Sequence, residues 1–281
     1  MELQTERWYA AIAQRHSRRS FDGRPLPPEA LDALREHCAR FRPFADARAV
    51  VVDGVSPDVW VLRKEDRGIN PPALSLLAGV AGSYGRITGA PAALVFVGAA
   101  ALGTEHHVGY TAQAVILEAT ALGLDTCWVG AFFSPSRTAE IVDLAPDERV
   151  LAVSPVGHAE ARVTRRERLL FRTGGTKKRL ELQNIAVGLL AKDWPGWAVA
   201  GVRTVQPAPS AMNRQPWRFR LEGDGVVLGL DGFESGFIAK RLDCGIAMLH
   251  FELGVRHFGH AGAWEPVEGG VETDVARWRP A

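Results

Sequence analysis

Cysteine is scarce in this chain. Cys38, Cys127 and Cys244 stand far apart among 281 residues. An odd number at wide spacing excludes a disulfide framework and offers no paired zinc-ligand set. A reducing, cytoplasmic compartment is therefore the expected setting. Neither sign of charge is in excess: Lys and Arg number 33, Asp and Glu 32, leaving a net charge of +1. That balance argues against a protein that coats nucleic acid, which needs a basic stripe, and against an acidic disordered tail. Long apolar runs are missing too. The stretch GAPAALVFVGAAALGT, Gly89 to Thr104, falls short of the ~20 residues that span a bilayer. Pro91, Gly98 and Gly103 interrupt it. The opening MELQTERWYAAIAQRH carries early acids and no apolar core of signal-peptide length. No membrane or nucleic-acid partner is expected.

What is present is enough for a real core. The length corresponds to about two domains or one large one. Leu3 to Gln14 has helical spacing. After Pro27-Pro28, EALDALREHCARF starts a second amphipathic helix with Leu31, Leu34 and Cys38 on one face. Strands are expected at Ala47 to Gly54 and Ala92 to Val97. Between them, Ser56 to Ile69 is ambiguous, Pro72 to Ala81 reads as helix, and Gly79, Gly82, Gly85 and Gly89 punctuate a loop.

Gly109 to Leu122, GYTAQAVILEATAL, is apolar on nearly every side, with Gly123 where a C-cap belongs. Such a helix is surrounded by protein. His106 and His107 are expected just ahead of it. A strand near Thr126 to Val129, a helix near Pro135 to Val142 and a strand at Arg149 to Val156 follow.

Residues 161–182 are a basic connector between a first half, 1–160, and a reduced second half, 183–281. The second half is expected to hold helical segments to Val205, strands at Arg218 to Leu221 and Val226 to Leu230, and a helix from Asp243 to Phe258. That helix echoes the first apolar one, and Glu252 stands 134 positions after Glu118. The element order suggests a duplication, each half giving one central helix.

Three segments can carry chemistry. Arg15-His16-Ser17-Arg18-Arg19 packs four basic-capable side chains and a hydroxyl into five positions, a set suited to phosphate or carboxylate; a solvated basic run is the alternative. Pro209-Ser210-Ala211-Met212-Asn213-Arg214-Gln215-Pro216-Trp217 is a proline-stiffened turn. Its amides could read a heterocycle edge, or could simply cap themselves. Gly123 to Phe132, GLDTCWVGAF, has the small residues that let backbone approach a flat ligand. His250, His257 and His260 fall near one helix face, but a metal site needs further ligands, and no metal is expected. GGTKKRLEL lacks the spacing of a nucleotide P-loop.

Taken together these segments resemble the nitroreductase family of flavin enzymes. The matching residues are Arg15-His16-Ser17-x-Arg19-x-Phe21 with Pro25, then Thr126-Cys-Trp-Val-Gly-Ala-Phe132, then Ala208-Pro-Ser-Ala-Met-Asn-Arg-Gln-Pro-Trp217. The resemblance implies an α+β nitroreductase-like fold: two intertwined half-repeats with antiparallel sheets and buried core helices, a pseudo-dimer in one chain. The motif order is unusual, because the Ser/Asn motif comes about 190 residues after the phosphate motif, and position 44 onward reads Phe44-Ala-Asp-Ala-Arg48 instead. The second half has no Arg-x-Ser-x-Arg of its own. One complete site per chain is implied, and hence a monomer or loose homodimer.

The resemblance further implies that FMN is held by Arg15, His16, Ser17 and Arg19, by Lys178 and Arg179, by backbone around Val129 and Gly130 facing the ring's N5, and by Pro209, Ser210, Asn213 and Gln215. Arg19 would stabilise reduced flavin. Cys127 would be a small buried neighbour of the ring, and Trp128 and Trp217 packing residues. Hydride would pass from NADH or NADPH to N5, then to a nitro, quinone or other small acceptor, with ping-pong kinetics and no side-chain catalyst. Two alternatives remain: a flavin-binding member without turnover, and a non-flavin phospholigand binder.

Overall fold

The structure is a computed structural model that describes residues 3–54, 87–101, 103–131, 133, 135–161, 178–189, 194–234 and 238–281. The expected helix Pro72 to Ala81, the ambiguous Ser56 to Ile69, the glycine loop short of Gly89 and most of the basic connector lie outside them.

Helix α1 (Thr5–Gln14) buries Trp8 and Ala11. It is pinned through Glu118, which accepts hydrogen bonds from the Trp8 indole (2.8 Å) and from Arg7 (2.9 and 3.1 Å). Helix α2 (Pro28–Arg40) opens on proline, whose missing N–H costs nothing in a first turn, and buries Ala30, Leu34 and Cys38. Strand β1 (Ala47–Asp53) pairs with β2 (Ala92–Ala99), β2 with β4 (Glu148–Gly157), and β4 with the short β3 (Asp125–Thr126), all antiparallel. Between these strands come α3 (Glu105–Ala121) and α4 (Pro135–Ile141).

The later part supplies α5 (Leu182–Ile185), β5 (Ala186–Val187), α6 (Gly196–Val205), β6 (Trp217–Glu222), β7 (Gly225–Leu230), α7 (Lys240–His257), β8 (Gly262–Glu265) and β9 (Asp274–Pro280). Its sheet runs β5-β6-β7-β9-β8, with β5 parallel to β6 and the rest antiparallel. Without β5 this order has the same pattern of connections as β1-β2-β4-β3. The register slips once in each sheet at the corresponding place, between Phe96 and Val97 in one and between Leu228 and Gly229 in the other.

Helices α3 and α7 are buried along almost their whole length and pack on each other. They meet at glycine: a Cβ on Gly109 would collide with the Leu242 carbonyl oxygen, and a Cβ on Gly245 with that of His106. The buried Glu252 of α7 accepts from the Tyr110 hydroxyl of α3 at 2.8 Å. A second apolar cluster, which includes Phe21, Val95, Val129, Phe133 and Val153, covers the other face of the first sheet.

Two expectations are corrected. Helix α3 begins at Glu105, so His106 and His107 lie in its first turn rather than ahead of it. The strand expected over Thr126 to Val129 stops at Thr126. There the Cys127 N–H turns to the Ser154 hydroxyl (3.1 Å), which breaks the ladder until Val129 bridges Val153. Strands β8 and β9 were not foreseen. The GAWE strand alternates half-buried and exposed positions, so it lacks the apolar run that marks a buried strand.

Candidate functional site

Arg15 caps α1 in an extended conformation, which turns the chain out of the helix. The strand-like continuation runs beside the 126–130 segment: Ser17 bridges Thr126, and the Arg18 N–H donates to the Thr126 carbonyl at 2.9 Å. The Arg15 guanidinium reaches the Ser17 hydroxyl at 3.4 Å. Burial lowers its pKa to about 10; Cys127 opposes the shift and Arg179 adds to it.

Arg179 braces the 207–215 turn. Its guanidinium donates to the carbonyls of Ala208 (2.6 Å) and Pro207 (3.0 Å) and to Asn213 Oδ1 (2.8 Å). All three acceptors are neutral, and burial again lowers the pKa. Neither Arg15 nor Arg179 pairs with a carboxylate among the described residues.

The turn itself is strained. Met212, Asn213 and Gln215 have φ of 50°, 54° and 50°, a left-handed region that costs a non-glycine residue on the order of 1 kcal/mol or more. Several bonds compensate. The Ser210 hydroxyl accepts from the Gln215 N–H (3.0 Å). The Gln215 side chain accepts from the Leu180 N–H (2.9 Å) and donates to the Asn213 carbonyl (3.1 Å). Asp243, in the first turn of α7, accepts from the Ala211 N–H (3.1 Å) and from Arg214 Nε (2.7 Å). Burial raises the Asp243 pKa to about 6, against the pull of Arg214.

Arg214 also donates to the Ile238 carbonyl at 2.8 Å. The Ile238 side chain in turn lies 3.0 Å from where a Cβ on Gly130 would stand. The turn and the 126–130 segment are therefore neighbours.

A buried chain of side chains backs both. Trp128 Nε1 donates to Gln113 Oε1 (2.9 Å), Gln113 Nε2 meets His250 Nε2 (2.9 Å), and His250 Nδ1 meets the Thr204 carbonyl (3.0 Å). The indole donor fixes the Gln113 amide, so its NH₂ donates to His250 and the histidine proton sits on Nδ1. Burial holds the His250 pKa down at about 3; the Thr204 bond opposes this, and Arg15 and Arg179 add to it.

Of the residues singled out from the sequence, Ser17 lies beside Arg15, Asn213 beside Arg179, Gln215 beside Ser210 and Gly130 beside Ile238; Arg19 is half-buried. Three stand differently from expectation. The Val129 N–H, expected to face a ligand, donates to the Val153 carbonyl at 2.9 Å, because the strand resumes at that residue. His16 is exposed and turned to the Gln14 carbonyl (2.7 Å). Lys178 is exposed and paired with Glu181 at 3.2 Å. Gln215 is buried and spends its amide on backbone, which makes it a brace for the turn. Sequence reasoning missed Gln113, Ile238 and Asp243. The first and last were visible as polar residues on largely apolar helices.

A groove of about 890 Å³ lies beside the site, between α1, α6 and the end of α7, with Tyr9, Ile12, Trp197, Arg203 and Phe258 in its walls. Among the described residues no group of three or more His, Cys, Asp or Glu could hold a metal ion, and no helix is long and apolar enough to cross a membrane.

A family model described as "Putative TM nitroreductase" matches residues 77–255. The chain belongs to this nitroreductase family. The matched span holds α3, all but the last two residues of α7, the 126–130 segment, Arg179 and the strained turn. A nitroreductase from Thermotoga maritima aligns over 96% of this chain and 92% of its own, at 19% identity and a TM-score of 0.60; this likeness shows the nitroreductase fold. A Bacteroides fragilis nitroreductase solved with bound FMN aligns over 56% of this chain and 91% of its own, at 16% identity and a TM-score of 0.44. No curated protein sequence matches the chain. The expected α+β nitroreductase fold is thus the one observed.

Proposed function

We propose that this nitroreductase is an FMN-dependent oxidoreductase that takes hydride from NADH or NADPH and delivers it to a nitro, quinone or other small acceptor. The observation that carries the reading is that Arg15 and Ser17 lie against the 126–130 segment, to which Ile238 also brings the 210–215 turn. Arg15 and Arg179, both half-buried, have only neutral acceptors among the described residues, which leaves cationic charge that an anionic ligand would neutralise. A phosphate fits the fork geometry of arginine, and charge-assisted bonds to it contribute about 1.5–3 kcal/mol each. Arg15, Ser17 and Arg179 would hold the phosphate. Gly130, Pro209, Ser210 and Asn213 would border the ring, with Arg19 near its anionic edge.

When bound, FMN supplies a hydride-accepting ring, chemistry that no side chain offers. The chain's own part is to bind and orient it. No proton donor or acceptor among these side chains is assigned to the reaction.

The pairing of an early anion motif with a late turn goes with a duplicated chain, a pseudo-dimer of two halves about a basic connector. The repeated strand order, the two register slips and the reciprocal glycine contact support that reading. The first half's counterpart of the turn is filled. Phe44 stacks on His107 with centroids 4.0 Å apart, and Asp46 binds the same imidazole at 2.8 Å. One cofactor per chain follows, in a monomer or loose homodimer. A cytoplasmic setting goes with three buried free thiols.

The test is to load the purified chain with FMN and follow NADH and NADPH oxidation with a nitroaromatic or a quinone. Oxidation that requires FMN supports the reading. FMN retention without acceptor-dependent oxidation contradicts it.

A further inference from the structure

We propose that Asp243 is a positioning residue that ties together the two walls of the cofactor cleft; this rests on the flavin reading above. One wall is the turn at 210–215, the other the backbone at Gly130. They lie 80 positions apart in the chain, and no strand among the described residues pairs them. Both of the carboxylate's oxygens are engaged: Oδ1 accepts from the Ala211 N–H (3.1 Å) and Oδ2 from Arg214 Nε (2.7 Å). Arg214 extends the tie, because its other arm donates to the Ile238 carbonyl (2.8 Å) and Ile238 packs on Gly130.

The turn is strained, with three residues at positive φ, and Asp243 is its hydrogen-bonded tie to α7. Asp243 is almost fully buried, in the helix that α3 fixes at the Gly109–Gly245 crossing. The rigid core thereby sets the separation of the walls. Removing one member of a buried pair leaves the other uncompensated, so loss of Asp243 frees Arg214 and, with it, Ile238.

The experiment compares the parent chain with Asp243→Asn, Arg214→Lys and a core control, Leu34→Ala. Amide hydrogen exchange is measured on FMN-free protein and FMN affinity by titration. Asp243→Asn is expected to speed exchange at both 211–215 and 128–131 while β2 stays protected. It is also expected to weaken FMN binding at least tenfold and alter the visible circular dichroism of the saturated flavin. Leu34→Ala lowers stability and leaves the dichroism as in the parent. If Asp243→Asn does not fold, Arg214→Lys, which keeps the charge but loses the fork, carries the same comparison. Exchange that quickens at one wall only, or equally in β2, overturns the proposal, as does FMN affinity within twofold of the parent. A parent chain that binds no FMN defeats the flavin reading instead, and the exchange pattern still decides whether Asp243 joins the walls.

Discussion

Gly109 and Gly245 face each other's helices where α3 crosses α7, each against the carbonyl three residues before the other: Gly109 against Leu242, Gly245 against His106. The contact is its own image. Both members of one pair lie 136 positions from their counterparts in the other, as a two-fold relation between two halves would require.

Both glycines are therefore expected to resist the smallest substitution. Gly109→Ala and Gly245→Ala each push a methyl into backbone that no rotamer change can relieve, so each is predicted to destabilise by about 3 kcal/mol, at the upper end of overpacking costs. Urea unfolding of both variants measures this. Losses below about 1 kcal/mol, or losses that differ widely between the two sites, would count against the reciprocal contact.

Arg15→Ala and Ser17→Ala remove donors from the cationic pocket without touching the core. Arg15→Ala is expected to weaken FMN binding about 10- to 150-fold, the equivalent of ~1.5–3 kcal/mol, and Ser17→Ala less. The thermal midpoint of the FMN-free Arg15→Ala chain is expected to hold or rise, because the burial that disfavours the Arg15 charge is relieved. Flavin fluorescence titration and a melting curve check both statements; unchanged affinity would remove Arg15 from the site.

Acid should weaken the fold through its buried histidines. Burial holds His250 and His106 down at about 3, below the ordinary 6.5. Between those values the unfolded chain binds protons that the native chain refuses. Stability is full above about pH 6.5 and falls by up to about 1.4 kcal/mol per pH unit for each histidine as the pH drops toward 3. Asp243, raised to about 6, works the other way from about pH 6 down to 4, because there the native state takes up the proton first. Urea midpoints from pH 7.5 to 4.5 are expected to fall, and His250→Gln is expected to flatten the slope. An identical slope in the variant would show that His250 is not the group responsible.

Much of this was legible in the sequence, for identifiable reasons. Helices α3 and α7 announce themselves by being apolar all round, and β2 by an unbroken run from Ala92 to Val97. The Arg15–Arg19, 126–132 and 208–217 segments are local motifs, so their residue types survive translation into space. What the sequence hid depends on partners far along the chain. Val129 loses its N–H to Val153, Gln215 turns inward to the backbone of 178–180, and Asp243 acquires its meaning only from Arg214 and Ala211. Strands β8 and β9 were obscured because the charged residues along them, such as Glu265 and Arg279, pair with each other across the hairpin and dilute the alternation.

The most direct measurement is the anaerobic visible spectrum of the purified chain after incubation with FMN and gel filtration, before and after NADH or NADPH is added. The account predicts one flavin retained per chain, bleached by at least one of the two nicotinamides, and lost from Arg15→Ala. A chain that emerges without flavin, or a retained flavin that stays oxidised in excess of both donors, would contradict it.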